Sequence, residues 1–477
     1  MNTTLYDTII VGAGPSGLTL AQHLSKVEKK ILVIDANNNI GGCHRVRRIP
    51  INNEYIFTEH GPRIYCTNYL NFFNNLNELG LNYNDYFETY KYKAIDGIKQ
   101  AFKQMHLKDM FWIGIGFFKF IINRKYGNDI SLLSFAEKHN FSNESIEFLH
   151  RFSYLPVEKP ANKVRLSMLY NFFNDNAFYK VLQPSKPLDI SLWKDVKTNL
   201  ENSGLEFNLE TRAVSILQNG ILVESNDEYK FIKAKKIVCA TKLPQLVNIL
   251  NESPQHIQNA FGDFNSISEL GERTKYDESV SITFHWDTEL QLPDKWGFSY
   301  NSPWSLLFIV LSDYIKFDES KSKTVISVGI QLLNAKSPHT GKTPNESTKE
   351  ELFTETLRQL GELLNVELPL PTLSLLNPGN IKKGNEWIDV DSGFCGLTDH
   401  DVLPSKANIN VKEQIPIYSL GIYNEKTYTL FDALETAVVS GIHLVNDLYP
   451  QLQIPIKERF TITSLFDTIF PFLKRWN

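Results

Sequence analysis

Near its start the chain runs Tyr6-Asp7-Thr8-Ile9-Ile10-Val11 directly into Gly12-Ala13-Gly14-Pro15-Ser16-Gly17-Leu18-Thr19-Leu20-Ala21. An apolar run, a glycine-rich turn and a helical pattern in that order point to the opening of a βαβ unit. Gly12 permits the tight turn, Gly14 lets the backbone approach a pyrophosphate with no Cβ in the way, and Gly17 lets the helix pack closely on the strand. The loop Gly12, Gly14, Pro15, Ser16 and Gly17 is therefore expected to seat a diphosphate at the positive end of the helix. A second apolar run, Ile31 to Ile34, ends in Asp35, which lies 18 residues beyond Gly17. That is about where a carboxylate accepts hydrogen bonds from an adenosine ribose. The competing reading is an ordinary strand-turn-helix corner whose glycines serve packing alone. The strand before, the helical pattern after and the acid at the next strand end favour the dinucleotide.

A chain of 477 residues with 42% apolar content can bury a large core and suggests two or more folding units. Net charge is -5, so no basic field exists to attract nucleic acid, and the cluster Arg45-Val46-Arg47-Arg48 is expected to be a local patch or a solvated face. Cys43, Cys66, Cys239 and Cys395 are widely spaced and form no CxxC pair, which argues against a zinc site or a disulfide scaffold. The first strand begins after about five residues, which leaves no room for a cleavable leader, so a cytoplasmic location is expected. The most apolar stretch, Met110 to Ile122, is shorter than the roughly 20 residues of a spanning helix and is expected to be a buried segment or a pocket wall. Peripheral membrane contact is the alternative there. It is also the alternative for the tail, where Phe466, Ile469, Phe470, Leu473 and Trp476 recur at helical steps around Lys474-Arg475. Docking against the body is the expected role of the tail.

The pattern along the chain then changes several times. From about Tyr69 to Leu200 it reads as helical and aromatic. From Leu205 the runs Glu206 to Leu209, Val214 to Leu217 and Gly220 to Val223 alternate as strands, with Gln218-Asn219-Gly220 as a hairpin turn. Lys236-Ile237-Val238-Cys239-Ala240 reads as a buried strand of a parallel sheet. Strands follow at Val280 to Phe284 and Thr324 to Val328, a surface loop at Ser337 to Ser347, and a helix near Lys349 to Leu364. Ile417 to Gly421 reads as a last central strand, followed by a helix from about Leu430 to Leu448 that stops at Pro450. Thr429-Leu430-Phe431-Asp432 has the spacing of a capping box for that helix.

Three of these blocks together resemble the flavin amine oxidase superfamily, which includes monoamine and polyamine oxidases, phytoene desaturases, protoporphyrinogen oxidases and UDP-galactopyranose mutases. The first block is Val11 to Asp35 with the doublet Gly41-Gly42. The second pairs Thr211-Arg212-Ala213-Val214-Ser215-Ile216 with Ala234 to Thr241, and the third pairs Tyr418-Ser419-Leu420-Gly421 with Leu434 to Gly441. The resemblance implies FAD, an α/β fold with a discontinuous Rossmann-like FAD-binding domain, and an inserted α+β substrate domain. The expected boundaries are 1–70, 201–260 and 405–450 for the first domain, 71–200 and 261–404 for the second, and 451–477 for an amphipathic tail. It also implies that Gly41, Gly42, Arg45, Val214, Ala240, Gly421 and Thr429 join the glycine loop and Asp35 around the cofactor, and that His60, Arg63, Tyr423 and Asn424 lie near the flavin ring.

The departures from the pattern bear on substrate. Asp35 stands where members usually carry Glu, Cys43-His44 displace Arg45 from the glycine doublet, and Ile422 replaces the usual acid after Gly421. No lysine begins the strand near Ser279-Val280, which tells against amine oxidation. His60-Gly61-Pro62-Arg63-Ile64-Tyr65-Cys66-Thr67 has the cadence of a mutase motif, with Arg63 and Cys66 in place of its two histidines. His60 is a candidate acid or base near neutral pH, Arg63 a candidate partner for a substrate carboxylate or phosphate, and Tyr423 a candidate pocket wall. Cys395 lies 26 residues before Gly421, near the spacing of a flavin tether, but lacks the aromatic residue that follows the tethering cysteine; an inert thiol is expected. The leading expectation is an FAD-dependent oxidoreductase acting on an organic small molecule. The alternatives are a redox-neutral flavoenzyme of the mutase kind, or a non-enzymatic scaffold like the Rab escort and GDP-dissociation-inhibitor proteins.

Overall fold

The computed structural model describes residues 4–91, 103–157, 160–273, 279–298, 302–391, 403–407, 414–424 and 433–470. Its centre is a parallel sheet of five short strands in the spatial order Ile417–Ser419, Ile237–Cys239, Thr8–Val11, Ile31–Ile34 and Glu206–Asn208. Every neighbouring pair runs parallel, with Ile9 opposite both Ile237 and Leu32. Strands this apolar are buried on both faces, because helices cover both sides of a parallel sheet: Ile9, Ile10, Val33 and Val238 have no exposed surface. The Pro15–Leu24 helix follows the first strand and packs along the Ala433–Leu448 helix. Neighbouring strands thus come from widely separated parts of the chain, so the fold is α/β with a discontinuous Rossmann-like layer.

Beside it, Arg212–Leu217, Gly220–Ser225 and Glu228–Ala234 form an antiparallel meander, with Leu217 paired to Gly220 across the turn read from Gln218-Asn219-Gly220. The inserted part is built on a second five-stranded sheet in the order Trp296–Phe298, Leu306–Val310, Thr324–Ile330, Val280–Trp286 and Leu373–Leu376, all antiparallel. The Lys349–Leu364 helix starts on a capping box in which Thr348 and Glu351 satisfy each other's backbone amides. An Arg47–Ile51 and Glu54–Thr58 hairpin turns through Asn52 and Asn53, both at positive φ, as a tight hairpin turn requires.

Three expectations change. The stretch read as helical from Tyr69 to Leu200 also contains the strands Phe87–Thr89 and Val181–Pro184, which pair with each other. The basic cluster is not a solvated face: Arg45 and Arg47 both pair with Asp391, and Arg48 pairs with Asp189 and Glu319. The apolar stretch forms the Leu107–Ile122 helix, but it is not a buried segment, since Leu107, Phe111 and Phe118 point to solvent. The tail forms the Ile462–Ile469 helix, which packs on that same helix and on Leu166–Asn176. Among the described residues no helix is long and apolar enough to cross a membrane. Thr429, Cys395, Leu473 and Trp476 lie outside the described residues.

Candidate functional site

A cavity of about 850 Å³ opens at the carboxyl ends of the parallel strands, where ligands bind in open α/β sheets. The three glycines of the loop do different work there. Gly12 sits at φ +113°, and a Cβ on it would run into the carbonyl of Ala240; a Cβ on Gly17 would run into the carbonyl of Gly12. Both are closed by protein. Gly14 is open: a Cβ there would meet only the Cα of Gly42, at 3.7 Å, and otherwise project toward the cavity. The Pro15–Leu24 helix begins at Gly14 with no side-chain cap, so its first amides lack the usual serine or aspartate partner beside a cavity that Gly12, Gly14, Pro15 and Ser16 all line. That is the donor set a diphosphate needs.

Asp35 lies on the cavity wall with its carboxylate already oriented. Oδ2 accepts from the Ala13 amide at 2.8 Å, and Oδ1 accepts from the Asn37 amide and side chain, each at 2.8 Å. Oδ1 is fully occupied by Asn37, and Oδ2 keeps lone-pair capacity for a ribose hydroxyl. Gly42, Arg45, Val214, Ala240, Gly421 and Tyr423 also line the cavity. Gly17 and Gly41 stand behind the lining: Gly41, at φ +103°, leaves no room for a Cβ against the Trp193 ring. These features fit a dinucleotide cofactor such as FAD.

Sequence reasoning missed the acid that organises the basic cluster. Asp391 accepts from Arg47 Nε at 2.8 Å and Arg47 Nη2 at 2.7 Å, and from Arg45 Nη2. Burial pushes its carboxyl up, but the hydrogen bonds from Arg47 and the charges of Arg45 and Arg47 outweigh that and hold it below the usual range. Arg45 also donates to the Gly42 carbonyl at 2.7 Å, and its buried Nε has no protein partner. Lys242 lines the cavity too, donating to the Val390 carbonyl at 2.7 Å. Asp391 is 346 residues from Arg45, so no local pattern joins them.

Behind His44 and Arg45 lies a second, closed cluster. Glu59, Arg63, Tyr65, Gln183 and Tyr314 surround a space of about 10 Å³. Arg63 Nη2 donates to the Arg45 carbonyl at 3.2 Å, and the Tyr65 hydroxyl lies 3.3 Å from His44 Nδ1, so the cluster abuts the cavity wall. Arg63 Nε approaches Glu59 Oε2 at 3.9 Å, beyond hydrogen-bond range. Glu59 Oε1, Arg63 Nε, Gln183 Oε1 and His60 Nδ1 are buried with no hydrogen-bond partner. Burial pushes the Glu59 carboxyl up to about 7 against the pull of Arg63. His60, expected to titrate near neutral pH, is instead held well below its ordinary range by burial and then by Arg63, His44, Lys242 and Arg45. The neighbouring Glu59 carries the near-neutral carboxyl; its place beside His60 in the same motif was the available signal.

The remaining expected residues separate. The Tyr423 hydroxyl donates to the Thr241 carbonyl at 2.9 Å, so the tyrosine presents its ring to the cavity. Asn424 is not among the lining residues; its amide nitrogen donates to the Leu403 carbonyl at 2.8 Å and to Ser419 Oγ at 2.9 Å, tying the strand end together.

Comparison with known proteins gives the same picture. Residues 10–79 match the NAD(P)-binding Rossmann-like domain. A UDP-galactopyranose mutase from Mycoplasma genitalium is 27% identical over 199 residues, 38% of this chain and 45% of that protein. An (S)-6-hydroxynicotine oxidase from Paenarthrobacter nicotinovorans is 34% identical over 68 residues, 13% of this chain and 16% of that protein. The chain thus spans less than half the length of these curated relatives. An oxidoreductase from Methanosarcina mazei superposes with TM-score 0.63 at 14% identity, covering 91% of this chain and 99% of that one. Putrescine oxidase bound to putrescine superposes with TM-score 0.60 at 13% identity, covering 94% and 100%. With a Rossmann-like domain at its N-terminal side and an antiparallel sheet inserted beside it, the chain shares the fold of these two solved proteins.

Proposed function

We propose that the chain is an FAD-dependent oxidoreductase that carries out two-electron oxidation or desaturation of an organic small molecule. The observation that carries this reading is the donor set of the large cavity: an uncapped helix start, an open Gly14 and a pre-oriented Asp35 carboxylate. Bound there, FAD would supply hydride acceptance at its flavin ring. The chain's own residues would bind and orient. Gly14 and Ser16 would hold the diphosphate, Asp35 the ribose, and Val214 and Ala240 the adenine side, while the Tyr423 ring walls the inner space. Arg63, behind Arg45 and donating to its carbonyl, would steady that wall of the cavity. Glu59, with its carboxyl raised to about 7, would hold or release a proton near neutral pH, a task the neutral His60 ring is poorly placed to share.

A redox-neutral reaction of the mutase kind is the second reading, favoured by the 199-residue match to the Mycoplasma mutase. The scaffold reading has less support, because the phosphate-loop glycines and the open cavity are all kept. The test is anaerobic mixing of the purified yellow protein with a panel of amines, polyenes and sugar nucleotides. Stoichiometric bleaching by an organic reductant other than a common mono- or polyamine is expected. Turnover of a sugar nucleotide with no net bleaching would transfer the assignment to the mutase kind. Bleaching by a common amine would restore the amine oxidase reading, and a folded, colourless protein that takes up no FAD would end both flavoenzyme readings.

A further inference from the structure

We propose that the Leu107–Ile122 helix, with the neighbouring Ile462–Ile469 helix, is a docking face for an anionic phospholipid surface. On the first helix Leu107, Phe111 and Phe118 are 82%, 63% and 56% exposed. With Gly114 they follow one another at four-, three- and four-residue steps, so they form a single stripe along the outer side. The opposite side is satisfied: Phe120 and Gly116 are buried against Phe135 and Tyr170, and Phe117 packs on the same core. The stripe is therefore a second apolar face on one helix. An ordinary surface helix has one.

The face extends beyond this helix. Arg124, just past its end, donates to the Thr463 carbonyl at 3.2 Å and pairs with Asp467 at 3.3 Å, which clamps the two helices together. The second helix exposes Leu465 and Ile469, followed by Phe470. Ahead of it Phe460, itself half exposed, packs on exposed Phe178. Exposed large apolar side chains on adjoining elements make a patch, which marks an interaction surface more strongly than scattered single residues do.

Charge selects the occupant. Lys108, Lys119 and Lys125 are exposed on or just beyond the first helix. The acid of that helix, Asp109, is 1% exposed and accepts from the Ser142 amide, while Asp467 is held by Arg124. Glu144, beside the helix start, sits 3.8 Å from His106. A stripe of aromatic and aliphatic side chains with lysines along it and its own acid turned inward suits a helix lying in the headgroup region of a negatively charged bilayer. Neither helix is long and apolar enough to cross that bilayer, so the contact is interfacial.

The test is co-sedimentation of the full chain with vesicles of phosphatidylcholine alone and of phosphatidylcholine with phosphatidylglycerol. Binding to the mixed vesicles, at least ten-fold weaker to the neutral ones and reduced by high salt, is expected. A Phe111→Ser/Phe118→Ser protein with an unchanged melting temperature should lose at least ten-fold in binding. A Lys108→Gln/Lys119→Gln protein should lose the preference for anionic lipid. Failure to bind the mixed vesicles, or binding that the serine variant leaves unchanged, would overturn the proposal. So would a wild-type dimer that the serine variant converts to monomer without any vesicle binding, since the face would then be covered by a second copy.

Discussion

Gly14 differs from its neighbours in the loop by what surrounds it. Because a Cβ there would meet only Gly42, Gly14→Val should fold with little change in melting temperature and lose FAD, as the branched side chain takes the space of the diphosphate. Absorbance of the purified variant in the flavin band checks this; a variant that is both folded and yellow would remove the cradle from its assigned place. Glu59 supplies a prediction with a definite sign. Its folded carboxyl lies near 7 against an unfolded value of 4.5, so the folded state binds the extra proton between those values. The stability from this group is full below pH 4.5, falls as pH rises through the window and is gone above about 7, a loss on the order of 3 kcal/mol. Glu59→Gln removes that titration, so denaturant midpoints measured from pH 4.5 to 8 should decline less in the variant than in the wild type. Equal slopes would mean that Glu59 is ionised in the folded protein. The glycines and Asp35 were legible in sequence because their spacing is local. Glu59 was not, because its raised carboxyl comes from burial among Arg63, Tyr65 and Tyr314, which only packing brings together.

At the scale of elements, the cradle depends on how closely two helices approach. A Cβ on Gly441 would come within 2.9 Å of the Ser16 carbonyl and of the Thr19 side chain, so the Ala433–Leu448 helix can lie against the Pro15–Leu24 helix only with glycine there. Gly441→Val should cost about 1–3 kcal/mol by overpacking. It should also weaken FAD binding, because Ser16 would be displaced at the helix start proposed to face the diphosphate. A calorimetric melt and an FAD titration check the two parts, and a loss of stability with unchanged affinity would separate the contact from the cradle. The helix Lys349–Leu364 and the strands Val280–Trp286 and Thr324–Ile330 agree with what their periodicity announced. The Leu107–Ile122 helix does not. Its hydropathy read as burial, yet an apolar sequence records only that a face avoids water, and here the chain leaves one such face uncovered.

For the whole molecule, a cofactor that binds the folded chain alone adds stability by mass action, so FAD at a hundred times its dissociation constant should raise the unfolding free energy by about 2.7 kcal/mol. Removing it by dialysis against chaotropic salt, then adding it back, should lower and restore the melting temperature; insensitivity to FAD would count against a site that spans three segments of chain. The amino-acid sequence determined the βαβ opening, its glycine loop, the buried strands and the turns between them, because each is set by residues within a few positions of one another. Tertiary structure alone decided that Asp391 would pair with Arg45 and Arg47 from 346 and 344 residues away, that His60 would be held neutral while Glu59 is poised near 7, and that Asn424 would brace a strand end. Local propensity acts through the backbone at short range. Ionisation, pairing and exposure depend on which distant groups share a low-dielectric interior, and that is fixed only when the chain has closed on itself.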